Sequence, residues 1–106
     1  MKLVRYQTED GRVPFSQWLD SLKDTKAAVA VLRRLDRASR GNFGDHKFER
    51  DGVWEMRIDQ GPGYRVYYFP HGETLVVLLC GGDKSSQKKD LDRAVEYRVD
   101  FLRRLS

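Results

Sequence analysis

Hydrophobic positions along the chain switch between a period of two and a period near four, and each switch marks an element. Residues 2–7, KLVRYQ, alternate, setting Leu3 with Arg5 and Val4 with Tyr6, and predict a short strand. Asp10-Gly11 breaks that pattern. From Pro14 onward Phe15, Trp18, Leu19 and Leu22 recur at helical spacing, with proline near the start of the predicted helix. Asp24 or Thr25 is placed to cap a second helix whose stripe is Ala28, Val31, Leu32 and Leu35. Arg33, Arg34 and Arg37 fall off that stripe, and Gly41 ends it.

Two amphipathic helices in succession need an apolar surface to lie on, and the next segments supply one. Residues 53–58, VWEMRI, and 63–69, GYRVYYF, predict strands joined through Asp59-Gln60-Gly61-Pro62. Residues 74–80, TLVVLLC, are apolar on both faces, as in a central strand covered on each side. His71-Gly72 supplies the turn between the last two strands. After Gly81-Gly82 a final helix carries Leu91, Val95, Val99, Leu102 and Leu105 on its inner stripe. The order is β-α-α-β-β-β-α. The predicted class is α+β: one domain over residues 1–106, with an antiparallel sheet packed by an N-terminal helical hairpin and a C-terminal helix.

Composition narrows the function classes. Hydrophobic residues make up 40% of the 106 residues and charged ones 34%, which fits a folded, soluble chain. The start, MKLVRYQTED, has no apolar run of signal-peptide length, and Leu75–Cys80 is too short to cross a bilayer. No membrane role and a cytoplasmic location are the expectation. Cys80 is the only cysteine, so an internal disulfide and a cysteine metal cluster are excluded, and its strand setting predicts a buried small hydrophobe. Only His46 and His71 are available as imidazole ligands, and no zinc site is expected. The net charge of +4 permits a nucleic-acid partner without requiring one.

Arg57 and Arg65 interrupt strands that otherwise read as core. Alternation puts Glu55 and Arg57 on the face opposite Trp54, Met56 and Ile58, and Arg65 with Tyr67 opposite Tyr64, Val66 and Tyr68. If Asp59 pairs with Gly63, Arg57 faces Arg65 directly, with β-carbons about 5 Å apart. A loop of even length would throw them onto opposite faces. Two adjacent guanidinium groups repel unless an anion comes between them. Glu55 pairing with either one is the structural alternative to a phosphate-gripping face.

The stretch LLCGGDKSSQKKDL, residues 78–91, has neither the spacing nor the second glycine of a Walker loop. It reads as a helix start in which Asp83 or Ser85 accepts backbone N–H groups. Lys88 and Lys89 in a first turn oppose the helix dipole and favour an anionic partner. Residues 41–52, GNFGDHKFERDG, read as a polar segment leading into the hairpin, with His46, Lys47 and Arg50 as its basic groups.

WEMRIDQGPGYRVYYF followed by LLCGGDKSSQKKDL resembles the RelE/ParE toxin superfamily, and in particular its HigB-like, phage-derived Gp49-like addiction-module killer proteins. FSQWLDSLKD, GNFGDHK and the long last helix agree with it. The resemblance implies a toxin of a bacterial type II toxin–antitoxin pair, silenced by a cognate antitoxin of HigA-like, helix-turn-helix type. It further implies metal-independent cleavage of mRNA on the ribosome by the RNA's own 2′-hydroxyl, with no cofactor. Carried over by motif, Arg65 and Arg57 would stabilise the phosphorane, Lys84 would assist the leaving group or hold phosphate, and His46 would move protons. Lys47, Lys88 and Lys89 would contact RNA backbone, and Tyr67 would stack on a base. Two other readings stay open: a ParE-like gyrase poison, and an RNA- or ribosome-binding module without catalysis.

Overall fold

The computed structural model describes all residues, Met1–Ser106, as an α+β fold with three helices and a five-stranded mixed sheet. Strands β1 (Lys2–Arg5), β2 (His46–Arg50), β3 (Val53–Ile58), β4 (Tyr64–His71) and β5 (Leu75–Asp83) lie in the order β1-β5-β4-β3-β2. Helices α1 (Pro14–Ser21) and α2 (Thr25–Ser39) cover one face, and α3 (Gln87–Leu105) covers the other after a short 3-10 turn at Lys84–Ser86. No helix is long and apolar enough to cross a membrane.

Both faces of the sheet are packed. Phe15, Val31 and Leu35 of the helical pair bury Met56, Ile58, Val66, Tyr68, Val76 and Leu78. On the opposite side Ala94, with Leu91, Val95, Phe101 and Leu102, packs on Val53, Tyr67, Phe69, Val77 and Leu79. Cys80 is buried in this second layer, as its strand setting predicts. Burying a Leu, Ile, Val or Phe side chain contributes about 1.5–3 kcal/mol, so these two layers carry most of the fold's stability. Pro14 opens α1, and the Asp24 side chain caps α2 by accepting from the Lys26 N–H at 2.9 Å.

Four expectations are corrected. The sheet is mixed rather than antiparallel, because β1 runs parallel to β5, pairing Lys2 with Leu75 and Arg5 with Leu78. The 46–50 part of the polar segment is an extra edge strand, β2, so the order is β-α-α-β-β-β-β-α. An edge strand exposed on both faces has no buried side to write a hydrophobic alternation, so it reads as a loop. Gly81 and Gly82 belong to β5 rather than to a loop after it, since the strand passes directly beneath both helical layers. A β-carbon on Gly81 would overlap the Trp18 ring of α1, and one on Gly82 would overlap the Asp90 carboxylate of α3. The helix stripes also shift by a position: Leu32, Val99 and Leu105 are exposed, whereas Ala27, Arg34 and Ala94 are buried.

Candidate functional site

The β3–β4 register is the odd-loop register: Trp54 pairs with Tyr68, Ile58 with Tyr64, and Arg57 directly with Arg65. Both arginines lie on the α3 side of the sheet. Two rows of residues cross the strands there. One runs Lys47–Glu55–Tyr67–Cys80, and the other runs Arg57–Arg65–Gly82. The second row ends under Ser86 and Asp90, where α3 begins.

Each arginine already has a carboxylate partner. Arg57 donates from Nη2 to Asp45 Oδ1 at 2.8 Å and from Nε at 3.2 Å. Both side chains are well exposed, at 39% and 62%, so a phosphate oxygen can take the place of Asp45 at little cost. Hydrogen bonding to Arg57 also holds the Asp45 carboxyl below its usual range. Arg65 is more enclosed, 14% exposed, with Nε 3.3 Å from Oε2 of Glu55, which is only 1% exposed. These two atoms are close enough to attract but misaligned for a hydrogen bond, and both are buried without a hydrogen-bond partner.

Glu55 is the unusual group of this face. Burial pushes its carboxyl up to about 7, and the neighbouring Glu49 carboxyl pushes the same way. Arg65 and Arg57 pull in the opposite direction without cancelling the rise. Glu49 is the extra residue of a β-bulge between Phe48 and Arg50, a device that re-aims a side chain. Its side chain is 17% exposed, its Oε2 lies 3.7 Å from Lys47 Nζ, and that oxygen too lacks a hydrogen bond. The result is a pair of enclosed carboxyl groups beside an arginine pair.

Arg34 holds the Asp45 side of the site in place. Although sequence periodicity puts it outside the α2 stripe, it is buried and donates to three carbonyls: Phe43 at 2.8 Å, Asp45 at 3.1 Å, and Arg57. Gly44, at φ +62°, passes so close to its guanidinium that a side chain there would collide with it. Thus GNFGDH is a loop wrapped around one buried cation.

Not every predicted site residue reaches the arginines. Lys47, 52% exposed, lies opposite Glu55 on the arginine face of β2, with its Nζ 3.7 Å from Glu49 Oε2. Lys84 follows Asp83, whose strand partner Tyr64 adjoins Arg65, so it stands at the same end of the sheet. Asp83 caps the 3-10 turn by accepting from the Ser85 N–H at 2.8 Å, which bears out the helix-start reading. Lys88 and Lys89 lie exposed on the outer surface of α3 beside Asp92 and Glu96. His46 does not reach the arginines. It pairs with Met56, packs between Phe43 and Trp54 on the opposite face, and its Nδ1 sits 2.8 Å from the Gly44 carbonyl. The sheet stands between it and the arginine pair. Tyr67 is 1% exposed beneath α3, with its phenol donating to Gln87 O at 3.4 Å. A ring so enclosed cannot stack on an RNA base, and that expectation is withdrawn.

A separate cavity of ≈ 440 Å³ opens between α1 and α3 over the end of β5, walled by Trp18, Tyr64, Arg93 and Tyr97. None of Arg57, Arg65, Glu49 or Glu55 lines it.

A mixed sheet clad by helices on both faces, with two arginines fixed side by side near the start of the last helix, defines an α+β protein with a strand-borne cluster of arginines and carboxyl groups. Residues 17–96, which include every member of that cluster, match the family described as Phage derived protein Gp49-like (DUF891), and the chain belongs to it. This family is known as a toxin-like group of RelE/HigB type. An uncharacterized protein of Haemophilus influenzae is 50% identical over 80 residues, covering 76% of this chain and 81% of that protein.

Proposed function

We propose that this protein is the toxin of a bacterial type II toxin–antitoxin pair and acts as a metal-independent, ribosome-dependent mRNA endoribonuclease. The observation that carries the reading is the direct cross-strand pairing of Arg57 with Arg65. Rigid strands hold two planar forks at one spacing, which suits the oxygens of a single phosphate.

In this reading the 2′-hydroxyl oxygen bonds to the adjacent phosphorus while the bond to the 5′ oxygen breaks, leaving a 2′,3′-cyclic phosphate and a 5′-hydroxyl. Arg65 and Arg57 stabilise the extra charge on the phosphorane. Glu49, the more exposed of the two carboxyls, takes the 2′ proton, a role that His46 cannot fill from the far face. Lys84 protonates or steadies the leaving oxygen, and Lys47, Lys88 and Lys89 follow the RNA backbone. The cognate antitoxin, of HigA-like type, silences the protein by binding it.

A binding module without catalysis is the second reading. It is favoured by the fact that both arginines rest against carboxylates. Mapping 5′ ends of mRNA incubated with purified protein, with and without programmed ribosomes, separates the two. Cuts that need the ribosome and vanish in Arg65→Ala establish the nuclease. Ribosome binding without cuts establishes the module, and growth arrest without either leads to gyrase supercoiling assays, where a ParE-like poison would act.

A further inference from the structure

We propose that oxyanion capture at Arg65 is coupled to uptake of one proton by the Glu49–Glu55 carboxyl pair, which makes Glu55 a positioning residue that releases the arginine for its ligand. The inference deepens the nuclease reading for the identity of the natural anion, a phosphodiester, but the coupling itself needs only an oxyanion.

Geometry supplies the argument. Arg65 has one close anionic neighbour, Glu55 Oε2 at 3.3 Å, and that contact is misaligned. A phosphate that engages Arg65 must therefore sit beside a carboxylate sealed from water, where repulsion is barely screened. Either the anion stays out or the carboxylate takes up a proton. Glu49 makes uptake easy, because a protonated carboxyl can donate to its twin, and buried oxygens on both glutamates stand without hydrogen-bond partners. The groups facing the pair from neighbouring elements are Lys47 on β2, Arg57 on its own strand, and Arg65 and Tyr67 on β4. From α3, Asp90 acts electrostatically on Tyr67, and Asp92 is held by Arg50. Lys47 is 52% exposed and Arg57 is held by Asp45, so neither replaces the proton.

The step balances simply. Solvent gives one proton to the pair, the carboxylate-to-arginine attraction is lost, and the guanidinium turns its N–H groups to the incoming oxyanion. Anion affinity is then flat below the midpoint of Glu55, near 7, and falls about tenfold per pH unit above it.

Sulfate, whose charge is constant over this range, is the first probe. Its stabilisation of the protein is followed by thermal unfolding against chloride at equal ionic strength, from roughly pH 5.5 to roughly pH 8.5. A sulfate affinity that falls about 16-fold between pH 7 and pH 8.5, and that becomes independent of pH in Glu55→Gln, is the expected result. Glu49→Gln, which removes one of the groups that raise Glu55, should move the break in the profile to lower pH, and it guards against a Glu55→Gln variant that fails to fold. The second probe is a 2′-O-methyl oligonucleotide, which cannot be cut, titrated by calorimetry into wild-type protein in two buffers of different ionisation enthalpy. Uptake of close to one proton near pH 8 supports the coupling. Sulfate affinity unchanged by pH, or binding with no proton taken up, overturns it. RNA cleavage without proton uptake would sink this inference and leave the nuclease intact. Proton-coupled sulfate binding without any cleavage would do the reverse.

Discussion

Arg65 sits at the junction of three demands: strand, ion pair and ligand. Its planar fork cannot be copied by a point charge, so Arg65→Lys is expected to lose nearly as much cleavage as Arg65→Ala, about 100-fold or more, while circular dichroism stays unchanged. Glu55 gives a separate, pH-dependent signature. Its carboxyl ionises near 4.5 in the unfolded chain and near 7 in the fold. Between those values the unfolded chain has released a proton that the folded one keeps, so stability falls as pH rises through this window and levels off above it. Glu55→Gln removes that fall, and its urea midpoint should change less than that of wild type between roughly pH 5 and pH 8. Alternation puts each arginine on a definite strand face, but whether they meet depends on loop parity, which only the structural register supplies. The state of Glu55 is not legible. It depends on cover by α3 and on a bulge at Glu49, neither of which leaves a local mark.

At the scale of elements, α2 shows what a periodic stripe conceals. Arg34 looks like a solvent-facing residue, yet it ties the helix to the 43–45 loop and to the Arg57 carbonyl. Leaving several buried carbonyls unpaired costs about 1–3 kcal/mol for each group lost. Arg34→Ala is thus expected to lower stability by about 3 kcal/mol and to loosen Asp45 from Arg57, measurable as a drop in melting temperature together with faster amide exchange at Arg57, whose N–H bonds the Asp45 carbonyl at 2.9 Å. The two glycines of β5 should respond unequally. On Gly81 a methyl group meets the rigid indole of Trp18, whereas on Gly82 it meets the end of an aspartate that can swing away. Gly81→Ala should therefore cost more, about 2 kcal/mol in denaturant unfolding. The sequence marks both positions as glycine but cannot say whether a turn or a packed helix requires it.

For the whole molecule, the basic surplus matters through its placement. Lys47, Arg57, Arg65 and Lys84 share one region of the sheet, while Lys88 and Lys89 look outward from α3. If these four residues each meet a phosphate, as the nuclease reading requires, the logarithm of affinity for single-stranded RNA falls with the logarithm of salt at a slope of about −3. A slope near zero in a filter-binding titration would deny a phosphate-tracking surface. The class and most elements were readable because helices and central strands each bury a periodic face. The mixed character of the sheet was not, since periodicity says which face of a strand is buried and nothing about which strand lies beside it. Only the tertiary structure reveals that β1 leaves the early helices and inserts next to the last strand.

That insertion has a consequence in time. Lys2 pairs with Leu75 and Arg5 with Leu78, each across 73 positions (75 − 2 and 78 − 5). The α1–α2 pair likewise waits for β3, β4 and β5 before it has a surface to cover. Pairings so distant along the chain close slowly, and a chain emerging in order from its N-terminus has no partner for its first strand until its fifth is made. Arg57 and Arg65 are synthesised before β5, yet the sheet that fixes them is complete only afterwards. A chain interrupted before Leu75 would carry both arginines on a hairpin whose sheet is not yet closed around it, so the order of synthesis leaves the arginine pair unsupported in a half-made molecule.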